Sequence, residues 1–233
     1  MNMLLRYCLS IVYAGTSHEC PVCASRLSKF KPMGVRKSAL CPVCGALERH
    51  RLIWLYCLAK TNLFDGRPKR LLHVAPEPCL KRQLRRINGI EYVDADLESR
   101  HATVKMDVTD IQFDDASFDI ILCNHVLEHV PDDRRAMREL LRVLRPGGWA
   151  IMQVPIDGES TREDPAITSA ADRARLYGQH DHVRQYGRDY GERLNAAGFQ
   201  VNVESFAADF SPTELDRLGV LANEDLYCCV RPA

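Results

Sequence analysis

Cys20-Pro-Val-Cys23 and Cys41-Pro-Val-Cys44, with 17 residues between them, are the residues whose type and spacing most directly imply chemistry. Each Cys-x-x-Cys pair makes a tight turn that aims two thiolates at one point, and the separation of the pairs falls in the range of four-cysteine zinc sites. Four thiolates close a tetrahedron and leave no position for water, so the spacing predicts a structural Zn²⁺ on Cys20, Cys23, Cys41 and Cys44 rather than a catalytic one. The ion would supply folding energy to a segment too small to stabilise itself. Cys8, Cys57, Cys79, Cys123, Cys228 and Cys229 have no partners at ligand spacing and read as small apolar residues. This cysteine usage suits a reducing, cytoplasmic setting.

A second set of polar residues stands where apolar runs end. Phe118 to Cys123 is a near-continuous apolar run, as in a strand buried on both faces of a parallel sheet, and Asn124-His125 follows it. Pro131-Asp132 then opens a helix with Met137, Leu140, Leu141 and Leu144 as its apolar stripe. Pro146-Gly147-Gly148 is expected to stop that helix, and Trp149 to Val154 is the next buried strand. Strand, helix and strand make a βαβ unit with a right-handed connection, which sets the class as α/β. Leu71 to Ala75, Ile90 to Asp96 and Thr103 to Thr109 read as three more strands, and Phe199 to Phe206 and Leu226 to Val230 as two late ones. An acid at the carboxyl end of a strand in such a sheet can accept hydrogen bonds from ribose hydroxyls, and Asp94 and Asp96, which alternation turns to the same side, are the two acids there.

The segment FDIILCNHVLEHVPDDRRAMRELLRVLRPGGWAIMQVP resembles the fourth strand, following helix and fifth strand of class I S-adenosylmethionine-dependent methyltransferases of the type 11 subgroup. The Leu-Glu-His trio, the Arg-Val-Leu-Arg-Pro-Gly-Gly turn and the strand ending in Val-Pro occur in order, and the resemblance spans roughly residues 70 to 233. It implies a doubly wound, mostly parallel seven-stranded sheet of the Rossmann-like methyltransferase fold, with the last strand antiparallel, behind a small N-terminal zinc ribbon. It also implies S-adenosyl-L-methionine as cofactor. By that resemblance Ala75, Glu77 and Cys79 occupy the glycine positions of the first loop, with Glu77 meeting the cofactor's ammonium group. Asp96 then meets the ribose, Asp107 the adenine amino group with Val108 beside it, and Asn124 and His125 the methionine end. Glu128 and His129 match the pattern too and read as a helix-start acid and a packed histidine.

The domains are expected as 1–66, the zinc ribbon with a linking helix, and 67–233, the catalytic domain, divided at the turn-rich Asp65-Gly66-Arg67-Pro68. The linking helix spans Ala46 to Lys60, with Leu47, Leu52, Leu55 and Leu58 on one side and Arg49, His50 and Arg51 clustered on a solvated face. The long connection from Ile156 to Gly187 leaves the binding edge of the sheet, so its residues His180, Asp181, His182, Arg184 and Tyr186 are candidates for acceptor binding. His182, then His180, is the candidate base, with Tyr186 beside them.

At 46% hydrophobic and 27% charged residues the 233-residue chain has an ordinary globular composition. Residues 1–60 hold nine Lys/Arg against two Asp/Glu, and the remainder 22 against 29. The apolar stretch Tyr7 to Ala14 is far short of the ~20 residues of a membrane span. It reads as a packed strand or helix, with a signal peptide as the other reading. The expected reaction is methyl transfer to an O or N atom of a small-molecule or saccharide acceptor. The alternatives are an RNA base methyltransferase that uses the basic front to hold RNA, and a non-catalytic scaffold with a vestigial fold.

Overall fold

Hairpins and a central apolar sheet sort the chain into two units of different character in the computed structural model, which describes residues 3–99 and 102–233. One unit comprises Met1–Pro68, Glu77–Ile90 and Ser205–Leu226, and the other Lys69–Pro76, Glu91–Glu204 and Tyr227–Ala233. The first continuous stretch ends beside the turn at 65–68. The two later segments that join it are announced by no shift in composition.

The first unit begins with helix α1 (Met3–Val12). Strand β1 (Ala14–Cys20) pairs antiparallel with β2 (Ser25–Leu27), and β3 (Lys31–Met33) with β4 (Arg36–Leu40). Cys20 to Cys23 make the turn between β1 and β2, and Cys41 to Cys44 the turn after β4, so each hairpin delivers one cysteine pair. Helix α2 (Glu48–Lys60) departs from the sequence expectation. Leu58 is 51% exposed, whereas His50 and Arg51 are buried. Arg51 donates from Nη1 to the Ala46 carbonyl at 2.8 Å and from Nε to the Gly219 carbonyl at 3.1 Å, and its guanidinium lies 4.1 Å from the centre of the Phe30 ring. A solvated basic face is therefore replaced by a buried polar tie, because five fixed donors can satisfy carbonyls that the turns leave open. Helix α3 (Pro78–Leu84) and the helix over Pro212–Leu218 complete the unit. Among the described residues no helix is long and apolar enough to cross a membrane.

The second unit is built on strands β5 (Lys69–Val74), β6 (Ile90–Asp96), β7 (Val104–Lys105), β8 (Phe118–Asn124) and β9 (Leu144–Gln153). The connection that follows β9 holds a two-stranded antiparallel ribbon, β10 (Arg162–Glu163) with β11 (Arg184–Gln185). Strands β12 (Gln200–Glu204) and β13 (Leu226–Val230) then finish a seven-stranded sheet of order β12-β13-β9-β8-β5-β6-β7. Strand β8 runs parallel to both β5 and β9, with Leu72 opposite Ile121 and Ile121 opposite Ala150, while β13 is antiparallel to β9. Its central place explains its unbroken apolar run, since both faces are covered.

Helix α4 (Asp133–Val143) starts where Asp132 caps it by accepting from Arg135 N at 2.9 Å. Ala136, Met137, Leu140 and Val143 are its fully buried stripe. The helix ends at Val143, and β9 already begins at Leu144, taking Pro146-Gly147-Gly148 into the strand. A register shift absorbs the extra residues: Phe118 faces Leu144, but Ile120 faces Trp149. A Cβ on Gly148 would sit 2.9 Å from the Arg145 and Asp119 carbonyl oxygens, so only glycine fits there.

From β5 the chain builds outward through β6 and β7, then returns to place β8 on the other side of β5. The strand order reverses between β5 and β8. In open α/β sheets that reversal leaves a crevice at the carboxyl ends of the strands, where ligands bind.

Candidate cofactor and acceptor site

A cavity of about 720 Å³ lies at that reversal, walled by Val74 and Ala75 after β5, Asp96 at the end of β6, Met106 to Thr109 after β7, and His125 and Val126 after β8. The volume is in the range of small-molecule and cofactor sites. His129, Asp132 and Asp181 add polar groups to its wall.

Ala75, Asp96, Asp107, Val108 and His125 all line this cavity. Ala75 and His125 hold left-handed backbones, φ 46° and 54°, each fixed by its amide: Ala75 N donates to the Ala95 carbonyl at 2.8 Å, and His125 N to the Gln153 carbonyl at 2.7 Å. Asp96 Oδ1 accepts from the amides of Glu98 and Ser99 at 2.9 and 2.8 Å. Asp107 Oδ1 accepts from the amide and hydroxyl of Thr109, both at 2.8 Å. Each carboxylate thus uses one oxygen to hold its own turn, which fixes the direction of the other. Asp94, by contrast, is fully buried and accepts from the Thr103 hydroxyl.

Asn124, the last residue of β8, is 3% exposed, and neither its side-chain oxygen nor its nitrogen meets a protein partner among the described residues. Glu77 belongs to the other unit, where its Oε1 is 3.6 Å from His50 Nε2. There, burial first and the Glu77 carboxylate second push the Cys79 thiol up to about 12.

The residues expected on the acceptor side divide. His180 is exposed and does not line the cavity, whereas its neighbour Asp181 does. His182 is buried, with Nδ1 donating to the Tyr177 carbonyl at 2.8 Å, and its ring lies 4.7 Å from that of His129 at 83°. Tyr186 is fully buried and donates to Asp133 Oδ2 at 2.5 Å. Burial and the Asp133 carboxylate push its phenol well above the ordinary range, and it does not line the cavity. Arg184 is committed to structure: it donates to the Leu127, Val130 and Pro131 carbonyls and pairs with Glu163 at 2.8 Å. Together these side chains clamp the loop that carries His125 to Pro131. Sequence reasoning assigned His129 to packing, yet it faces the cavity with Nδ1 3.3 Å from Asp181 Oδ2. The sequence signal for this was its place just past β8, at the ligand-binding edge.

The four ribbon cysteines converge. Cys20 Sγ lies 3.7 Å from Cys44 Sγ and Cys23 Sγ 3.8 Å from Cys41 Sγ, and all four sulfurs are within 4.8 Å of one another. A tetrahedral ion with Zn–S arms of about 2.3 Å has S···S edges of about 3.8 Å. The donor set therefore fits Zn²⁺ in both chemistry and size.

Residues 75–152 match the model of the family described as a methyltransferase domain, Methyltransf_11. An uncharacterized methyltransferase of Mycobacterium sp. (strain KMS) is 33% identical over 132 residues, which cover 50% of this chain and 52% of that protein. The chain thus spans about half the length of the curated relatives it matches. Among solved structures, an S-adenosylmethionine dependent methyltransferase from Mesorhizobium loti superposes with a TM-score of 0.51 at 15% identity, covering 77% of this chain and 98% of the other. Haemonchus contortus phosphoethanolamine N-methyltransferase 2, bound to phosphomonomethylethanolamine and S-adenosylhomocysteine, gives 0.51 at 18% identity, covering 77% and 53%. At such identities the structural likeness concerns the fold. The sequence match and the sheet order agree: residues 75–152 are similar to the methyltransferase-domain family, and the mostly parallel seven-stranded sheet has the Rossmann-like methyltransferase fold.

Proposed function

We propose that the protein is an S-adenosylmethionine-dependent methyltransferase acting on an O or N atom of a small-molecule or saccharide acceptor, with a structural Zn²⁺ on Cys20, Cys23, Cys41 and Cys44. The observation that carries the reading is the pair of turn-fixed carboxylates, Asp96 and Asp107, on the wall of one cavity at the strand reversal. In this reading Asp96 accepts from the ribose hydroxyls, Asp107 from the adenine amino group, and Val108 lines the adenine pocket. The methionine end lies toward Ala75 and His125, next in sequence to Asn124, whose buried amide meets no hydrogen-bond partner among the described residues.

Methyl transfer is an in-line displacement: an acceptor lone pair forms a bond to the methyl carbon while the C–S pair returns to sulfur. The chain's work is to align the two partners and exclude water. Where the acceptor has a proton to lose, the His129 and Asp181 pair on the cavity wall is placed to receive it, in preference to the exposed His180 and the buried His182. Burial of Arg51 takes one cation from the surface on which RNA binding would depend. The test is transfer of a labelled methyl group from S-adenosylmethionine into metabolite fractions and into bulk RNA. Label in a small-molecule fraction is expected; label in RNA alone would move the reading to nucleic acid.

A further inference from the structure

One cluster beside the cavity joins His129 to two buried side chains that the reading above leaves unused, Glu128 and His182, and gives His129 an ion to bind in place of a proton. Glu128, His129 and His182 each present one ligand-type atom, and the three lie within 4.8 Å of one another. Glu128 is 1% exposed and His182 3%. Each side chain also has a polar neighbour outside the cluster. Glu128 Oε1 accepts from His125 Nδ1 at 3.2 Å, His182 Nδ1 donates to the Tyr177 carbonyl at 2.8 Å, and His129 Nδ1 lies 3.3 Å from Asp181 Oδ2. An imidazole that gives its Nδ1 hydrogen to a carbonyl or carboxylate presents an unprotonated Nε2, which is how metal-binding histidines are held. Glu128 Oε2 is buried with no hydrogen-bond partner among the described residues, a costly state for a carboxylate that a cation would relieve.

We propose that Glu128 Oε2, His129 Nε2 and His182 Nε2 form a second metal site, for a divalent transition ion of the Zn²⁺, Fe²⁺ or Co²⁺ class. Two imidazoles with one carboxylate suit those ions and disfavour Mg²⁺ and Ca²⁺, which take oxygen ligands. An ion with arms of about 2.1 Å holds its ligands about 3.0 to 3.4 Å apart, so the triad closes by a small rotation, for which the partly exposed His129 has room. This site differs from the ribbon in kind: three protein ligands leave a coordination position open, while four thiolates leave none.

His129 belongs to both the triad and the cavity wall. Resting on the methyltransferase reading, the open position takes the oxygen of a hydroxyl-bearing acceptor and lowers its pKa. The proton leaves by way of Asp181, whose side chain is 49% exposed, to water. The oxygen lone pair then bonds to the methyl carbon of the sulfonium, and the C–S pair stays on sulfur. Within the proposed O or N acceptors, this selects an oxygen acceptor.

The test is Co²⁺ loading of the full chain, read by absorption and by ions bound per chain. Two ions are expected: one with the intense thiolate charge-transfer band of a sulfur site, and one with only the weaker bands of nitrogen and oxygen ligands. Glu128→Gln and, separately, His129→Gln should each lose the second ion and keep the first. His129→Gln guards against a folding defect, since its side chain is 34% exposed. A single ion per wild-type chain, or a second ion retained in both variants, overturns the proposal. Titration of the wild type with S-adenosylmethionine separates this failure from the other: the methyl donor binding without a second ion removes only the metal site, and a second ion without donor binding removes only the reading it was joined to.

Discussion

Ala75 and His125, at the ends of neighbouring parallel strands, both adopt left-handed backbones and both face one cavity. Neither is glycine, so each carries a Cβ in a region where L-residues are disfavoured by about 1 to 2 kcal/mol. Held strain at a cavity wall is a common mark of a functional turn. Here it turns the chain sharply away from two strands and leaves space beyond them.

Replacing Ala75 by Gly should relieve that conformation and offset part of the gain through a freer unfolded chain, for a net change between about zero and 1 kcal/mol in favour of the fold. Ala75→Val should cost more than about 2 kcal/mol, because a β-branched residue tolerates positive φ poorly. Urea denaturation with an unchanged m-value reads both. A valine variant as stable as the wild type would show that the turn is not strained.

Arg51 should resist conservative exchange. Its guanidinium serves two carbonyls, of Ala46 and Gly219, from full burial. Arg51→Ala strands both acceptors and leaves a void, a loss of about 3 kcal/mol or more. Arg51→Lys keeps the charge but not the fork, and should still lose about 1 to 3 kcal/mol. Thermal denaturation that scores the lysine variant as wild type would mean charge alone matters there.

Chelation of zinc should release the two hairpins and spare the sheet. The ribbon has few buried apolar residues, such as Val22, Leu27 and Phe30, so the proposed ion would supply much of its stability. The second unit has its own core, from Leu72 and Ile121 through Met137 and Leu140 to Tyr227. Hydrogen exchange after chelation should lose protection over Ala14 to Cys44 while β5, β8 and β9 keep theirs. Collapse of protection in β8 would contradict this division.

Acid should weaken the clamp at Glu163. Burial pushes its carboxyl up, but the guanidinium groups of Arg193 and Arg184 outweigh that and hold it at about 2, below the ordinary 4.5. A depressed carboxylate contributes stability that is complete above its unfolded pKa and lost as pH falls through the folded one. The contribution should fade between about pH 4.5 and 2. With the side chain 37% exposed, solvent screening keeps it modest. The stability gap between wild type and Glu163→Gln, measured from pH 7 downward, should narrow through that window; a constant gap would refute the assignment.

Much of this was legible because spacing carries it. The two Pro-Val cysteine pairs, the unbroken run of β8 and the stripe of α4 depend on local periodicity, and the fold follows from them. What escaped depends on long-range packing. Nothing local says that Arg51 meets the carbonyl of Gly219, or that 77–90 and 205–226 pack with the ribbon unit. Pro146-Gly147-Gly148 reads as a helix stop, yet it is a strand irregularity set by the register with β8. Within the site, acids that end strands can be read from position, whereas His129 and His182 are far apart in sequence and meet only in the folded chain. Tyr186 and Arg184 look like site residues by composition, but the loop they clamp needs them more.

The central claim, that the cavity between Ala75, Asp96, Asp107 and His125 holds a sulfonium nucleoside, is tested most directly by calorimetric titration of the zinc-loaded protein with S-adenosylmethionine. Wild type should bind one equivalent, and Asp96→Ala should bind about tenfold to a hundredfold more weakly at unchanged thermal stability, as expected for losing a charged acceptor of hydroxyl hydrogen bonds. Absence of binding by the folded, zinc-loaded chain, or equal affinity in the Asp96 variant, would contradict the account.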